Sequence, residues 1–299
     1  MKNILILGSS GFVGKSFNEH LNKFYFRKIK SITLVQRSRT NNDFQISGFK
    51  IKTNLILKDF KKIKRLPKCD TIIYCIRSKN QKIDIEIFNH FVNLIKNKQK
   101  IKIIFLSSGA IYANNSVKNK IKETQEIDIN KINLLKGYKK NYAKQKLLLE
   151  KKFYDLSRLG FQITVARCFT FFGENILSTN FFISKLLNSM KSKKKFYLMP
   201  NLKHIYRSYM HAYDMNEWFI SILKKNNKFK IYNIGSEQSI NLNDLARQIC
   251  KKFRKKIIIK KTTFKKEIDY YIPSSAKIRK ELKVKTKFDL NAIISNLDR

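Results

Sequence analysis

The 299-residue sequence predicts an α/β fold, a doubly wound parallel sheet followed by a smaller C-terminal α/β lobe. Three observations carry that expectation. Short, almost continuously apolar runs alternate with longer amphipathic stretches through the first half, the pattern of buried parallel strands and their covering helices. Glycine and proline number only nine and three, so where they fall marks the real breaks. The strand–helix rhythm then changes after about residue 170.

Asn3–Leu7 (NILIL) is the first strand, and a helical pattern follows at 15–26. Strands are expected at 31–35, 71–75, 101–106 and 162–166, with helices at 83–96 and 138–159 between the later ones. Beyond 170, helical patterns at 181–191, 214–224 and 242–253 are separated by short strands at 231–234 and 256–260. The expected division is 1–170 for the main sheet and 171–299 for a lobe interleaved with its last strand. There is no internal repeat and no low-complexity linker.

With 43% hydrophobic residues the chain can bury a full core, which excludes global disorder. The formal net charge of +43 makes nucleic acid the first partner to test. The composition of that charge argues otherwise. Only 12 of the 64 basic residues are arginine, and the lysines run end to end in short groups such as Lys193-Lys194-Lys195. Base readers favour arginine for bidentate contacts, whereas dispersed lysine is a solvated surface. Cys69, Cys75, Cys168 and Cys250 form no CxxC pair, and the four histidines show no metal-ligand spacing to them. Free thiols in a reducing cytoplasm are therefore expected, with no metal. No run approaches the ~20 apolar residues of a membrane span.

Gly8-Ser9-Ser10-Gly11-Phe12-Val13-Gly14 joins the first strand to the first helix. Gly8 allows the tight turn, Gly11 lets a pyrophosphate approach the backbone, and Gly14 lets helix pack on sheet. The helix start supplies N–H donors to phosphate, with Phe12 and Val13 in its first turn. The pattern predicts a dinucleotide site on a Rossmann-type sheet. Val35 is followed by Gln36, Arg37, Ser38 and Arg39, with no acid for a ribose 2′-hydroxyl. NAD or NADP is thus the expected cofactor, with Arg37 and Arg39 favouring NADP.

Tyr142 and Lys146 share a helix face at i, i+4. An ammonium so placed stabilises a phenolate. Among 13 tyrosines only Tyr142 has a lysine four residues on; Tyr138 reads as a packing residue. Upstream, the apolar run ending Leu106-Ser107-Ser108-Gly109 puts hydroxyls at the carboxyl end of a parallel strand, where ligand crevices lie.

Taken in order, these segments resemble the extended short-chain dehydrogenase/reductases, the NAD-dependent epimerase/dehydratase family of nucleotide-sugar enzymes. Arg167 to Gly173, Tyr206 to Asp214 and Tyr232-Asn233-Ile234-Gly235 add three further matches, so the resemblance spans nearly the whole chain. It implies that Ser108 binds the sugar hydroxyl, with Ser107 as the neighbouring alternative. It also implies that Tyr142 is the acid/base, Lys146 its partner and a ligand of the cofactor, Arg207 the diphosphate ligand and Asn180 a substrate contact. A cytoplasmic homodimer acting on a nucleotide-diphosphate sugar is the family expectation.

The sequence also departs from the family. Gly109 and Ala110 stand where the 4,6-dehydratases carry an Asp-Glu pair, so dehydration would need another carboxylate such as Glu123. Thr170 replaces the Asn of the UDP-galactose 4-epimerase branch. Tyr270 and Tyr271 stand before Pro273, where a second pyrophosphate arginine is expected. The expected function is NAD(P)-dependent epimerisation or oxidoreduction through a 4-keto sugar. The alternatives are an NADPH-dependent 4-keto-sugar reductase, a dehydratase, and a non-catalytic dinucleotide-sensing nucleic-acid binder.

Overall fold

The computed structural model describes residues 1–38, 48–78, 80–113, 116–173, 176, 181–191, 196–198, 200–225, 228–259 and 268–297. In chain order the first part contains β1 (Asn3–Leu7), α1 (Phe12–Phe24), β2 (Ser31–Gln36), β3 (Lys52–Leu57), β4 (Thr71–Tyr74), α2 (Gln81–Ile95), β5 (Lys102–Ser108), α3 (Ile129–Leu134), α4 (Gly137–Arg158) and β6 (Gln162–Cys168). Then follow β7 (Phe171–Phe172), α5 (Phe182–Lys191), β8 (Phe196–Leu198), β9 (Ile205–Arg207), β10 (Met210–His211), α6 (Ala212–Lys224) and β11 (Phe229–Ile234). The last elements are β12 (Ile240–Asn241), α7 (Leu242–Lys252), β13 (Ile257–Ile259), β14 (Asp269–Tyr271), α8 (Ala276–Leu282) and α9 (Leu290–Ser295).

Seven strands form the main sheet in the order β11-β6-β5-β4-β1-β2-β3. Every neighbouring pair is parallel. The expected doubly wound parallel sheet is what the chain builds. The apolar runs of β1, β4 and β5 are buried on both faces, which is why they read as continuous rather than alternating. One face packs Ile4, Ile6 and Ile104 with Phe17, Trp218 and Phe219 of α1 and α6. The other packs Leu5, Ile103 and Phe105 with Phe91 of α2 and Leu149 and Phe153 of α4. A third core joins α5, α7 and α9 beyond the sheet.

One strand of the main sheet was not anticipated. β3 carries Lys52 and Asn54 at exposed places and lies at the sheet edge, so it lacks the apolar run of its inner neighbours. A smaller three-stranded sheet, β12-β9-β14, brings β9 beside β14. The strand order reverses between β1 and β4, and such a reversal opens a crevice outside the carboxyl ends of those strands. Among the described residues no helix is long and apolar enough to cross a membrane, and no cluster of His, Cys, Asp or Glu could hold a metal ion. The four cysteines are free.

Candidate active site

The glycine turn opens the crevice. Gly8 has φ of 79°, and a Cβ there would lie 2.9 Å from the Ile76 nitrogen at the end of β4. A Cβ on Gly14 would lie 2.7 Å from Cα of Ser9, so helix and turn pack too closely for any side chain. Gly11 is different: its nearest neighbour to an added Cβ is the Gly8 carbonyl at 3.8 Å. The chain itself does not require glycine at 11, and the bare backbone leaves room for a ligand. Gly11 is also the N-cap of α1, and no side chain caps it. The first N–H groups of the helix, at Phe12, Val13 and Gly14, are therefore not taken up by a capping side chain. The Phe12 ring packs on Phe171, which leaves that residue's backbone for the turn. A dinucleotide pyrophosphate fits this cradle.

At the end of β2, Gln36 turns inward and accepts a hydrogen bond from the buried Ser9 hydroxyl at 3.1 Å. Arg37 is exposed. Arg39 lies outside the described residues, as does Asn180.

α4 delivers Tyr142, Lys146 and Glu150 at successive i, i+4 places toward the ends of β5 and β6. The helix is held there by the stack of Phe153 on Phe105, centroids 4.4 Å apart. The half-buried Tyr142 phenol faces the Ser108 hydroxyl, which draws its raised titration back down. Ser108 also accepts the Ala110 N–H at 3.2 Å. Lys146 is buried, donates to the Leu106 carbonyl at 2.6 Å, and lies 6.0 Å from the Tyr142 ring centroid. The structure thus brings Ser108, Tyr142 and Lys146 together beside the β4–β5 edge of the crevice.

Burial pushes the Lys146 ammonium down to about 8. An unfolded lysine titrates near roughly 10.4. Between those values the unfolded chain holds a proton that the folded chain has released, so folding stability rises with pH. Below about pH 8 the cost of the buried charge is fully present. Comparing the native protein with Lys146→Met in denaturant at several pH values, the native protein should gain on the variant from about pH 8 upward. A constant difference across that range would contradict the assignment.

The two serines face different partners. Ser107 donates to Glu150, while Ser108 faces the phenol. Strand register sets Ser107 opposite Arg167. The Arg167 guanidinium grips Glu150 at 2.7 to 3.2 Å and donates to the Tyr112 hydroxyl at 2.6 Å. Tyr112 in turn donates to Asn233 at 3.0 Å. Glu123 joins from the far side, accepting the Asn233 N–H at 2.8 Å. That tie occupies the one carboxylate considered for an elimination role.

Arg207 reaches the site edge already paired. Its guanidinium meets Asp269 of β14 at 2.7 Å and lies 5.5 Å from the ring centroid of Tyr271. Tyr271 is half-buried, and its phenol also faces Ser108, making a second hydroxyl beside that serine. Gly109 is sealed from the same side: a Cβ there would lie 2.6 Å from the Phe169 ring. Sequence reasoning noted Tyr271 only as a missing arginine, and it overlooked Arg77, just beyond β4. The available signal was its place at a strand end on the crevice side, obscured by 64 basic residues.

Residues 4–235 match the sequence profile of the NAD dependent epimerase/dehydratase family. No curated protein matches the chain. Among solved structures, the dTDP-glucose 4,6-dehydratase of Bacillus anthracis, in complex with NAD, is similar with a TM-score of 0.81 at 17% identity, covering 98% of this chain and 94% of that one. The UDP-glucose 4-epimerase of Bifidobacterium longum, in complex with NAD+ and UDP, gives 0.76 at 14%, covering 98% and 96%. The UDP-N-acetylglucosamine 4-epimerase of Bacillus cereus gives 0.73 at 16%, covering 99% and 98%. At these identities the likeness is one of fold.

Proposed function

The chain belongs to the NAD-dependent epimerase/dehydratase family, and on that premise we propose that it is a nucleotide-sugar epimerase or oxidoreductase working through a transient 4-keto sugar. The observation that carries this reading is the hydroxyl pair of Ser108 and Tyr142 at the crevice, with the buried Lys146 ammonium behind the phenol. Ser108 holds a sugar hydroxyl. Tyr142, as phenolate, takes its proton, and Lys146 stabilises the charge that the phenol would otherwise carry alone. Gly8, Gly11, Phe12, Val13 and Gly14 would hold a nicotinamide dinucleotide, with Tyr142 and Lys146 meeting its ribose, and when bound it would supply the hydride acceptor for the same carbon. The Tyr142 proton then returns to the keto oxygen. Arg207 and Asn180 are assigned to the substrate, the former to its diphosphate, in a lobe spanning 171–299.

Epimerisation results if hydride returns to the opposite face. A second reading, reduction of a keto sugar by NADPH, is favoured by the exposed Arg37 and the lack of an acid at the end of β2. NAD is supported by the complexes of two similar structures. Dehydration is disfavoured by Phe169, which fills the place of any side chain at Gly109.

The test incubates purified protein, with and without NADPH, with UDP-, dTDP-, GDP- and CDP-sugars and their 4-keto forms. Conversion without added cofactor selects the epimerase, and conversion only with NADPH selects the reductase. No conversion of any member, with no change in the cofactor spectrum, overturns the enzyme reading.

A further inference from the structure

Arg77 lies just past β4, and nothing in the reading above uses it. Its guanidinium carbon is 5.1 Å from the Tyr142 ring centroid and 5.0 Å from that of Tyr138. The two rings lie one helical turn apart on α4 and stack, centroids 5.8 Å apart and planes 10° from parallel. Arg77 also donates a hydrogen bond to the Tyr138 hydroxyl. The loop carrying it is pinned by Asp84, a buried residue in the first turn of α2, which accepts the Ser78 N–H at 2.6 Å. Asn80 caps the same helix by accepting the Lys82 N–H at 2.8 Å. The arginine is therefore held from below by α2 and from the side by Tyr138.

We infer that Arg77 is a positioning residue acting through Tyr142: a fixed positive charge that, together with Lys146, readies the phenol to surrender its proton. The inference deepens the proposed function and rests on Tyr142 being its acid/base. Lysine alone is poorly suited to that task here. Lys146 spends a donor on the Leu106 carbonyl and sheds its proton at about 8. A guanidinium keeps its charge across the whole working range. The other groups around the phenol do not supply a cation. From β6 comes the Cys168 thiol and from β14 the Tyr271 phenol, both acids held neutral by burial. From β5 comes the uncharged Ser108 hydroxyl, and the Asp84 side chain of α2 acts on Lys146. Burial raises the Tyr142 phenol above its ordinary value, while Ser108 and Arg77 draw it back down. Tyr138, which the sequence marks only as packing, gains a role as the arm that holds Arg77 over the ring.

The experiment is a titration of the full chain labelled with ¹³C at the tyrosine Cζ, the Tyr142 resonance being assigned by its loss in Tyr142→Phe. No substrate is needed. An opposite charge at this range typically moves a titration by one unit or more, so Arg77→Met should raise the Tyr142 midpoint by about one pH unit. Arg77→Lys should restore most of the native midpoint. Arg77→Gln can still donate to the Tyr138 hydroxyl without charge, must behave as Met does, and carries the test if Met disturbs the fold. Equal midpoints in native protein and the neutral variants would overturn the inference, as would a lysine variant no better than glutamine. If titration moves yet no nucleotide sugar is turned over, the proposed function fails and the role of Arg77 in setting the phenol stands. If turnover is found and the titration does not move, the role of Arg77 alone fails.

Discussion

Replacing Tyr142 by Phe is expected to lower turnover of the nucleotide sugar by about a thousandfold, because a positioned acid/base contributes about 10²–10⁴ in rate. The fold should survive the change. The phenol is half-buried and faces the Ser108 hydroxyl, so the loss of its own hydroxyl costs about 1 kcal/mol of stability at most. Binding of the dinucleotide at the glycine turn should persist, since that turn is built from the backbone of residues 8–14. Steady-state kinetics beside a cofactor-binding titration and a thermal melt separate these effects. A variant that keeps more than a tenth of native turnover would remove Tyr142 from the chemistry.

The largest expected effect on stability comes from Glu150→Ala. Glu150 and Arg167 are both buried, and their side chains meet through three hydrogen bonds. Removing the carboxylate leaves the guanidinium charged in the interior with only Tyr112 and a distant Glu123 carbonyl. Breaking one partner of a buried pair typically costs about 3–5 kcal/mol. Denaturant unfolding should show that loss for Glu150→Ala and a smaller one for Glu150→Gln, which keeps the shape and one acceptor. A loss below about 1 kcal/mol in the alanine variant would mean that the pair is solvated and the network is not structural. The same substitution also frees Ser107, so a drop in turnover should accompany the drop in stability.

How far the site was legible in the sequence follows from how local each part is. The glycine turn reads directly because Gly8 and Gly14 answer to contacts set by an adjacent strand and helix. Tyr142 and Lys146 read directly because helical spacing alone puts them on one face. Ser108 needed only the end of an apolar strand. Arg77 and Tyr271 were not legible in the same way. Arg77 meets Tyr142 only after β4 is set next to β5 and α4 laid across them. Tyr271 arrives through the parallel pairing of β14 with β9, strands some sixty residues apart in the chain. The same pairing gives Arg207 its partner Asp269, which the motif around Arg207 does not mention. β3 escaped because an edge strand can carry Lys52 and Asn54 without cost. The +43 charge, prominent in the composition, contributes two cations beside the phenol, one of them a residue that the sequence did not single out.

The most direct test follows the nicotinamide absorbance of the purified, cofactor-loaded full chain after a nucleotide sugar is added, in the native protein and in Tyr142→Phe. The expected result is reduced nicotinamide appearing in the native protein with the first accepted sugar and absent from the variant. Reduction that proceeds equally in both proteins, or a chain that binds neither dinucleotide nor nucleotide sugar, would contradict the assignment of this crevice as the reacting site.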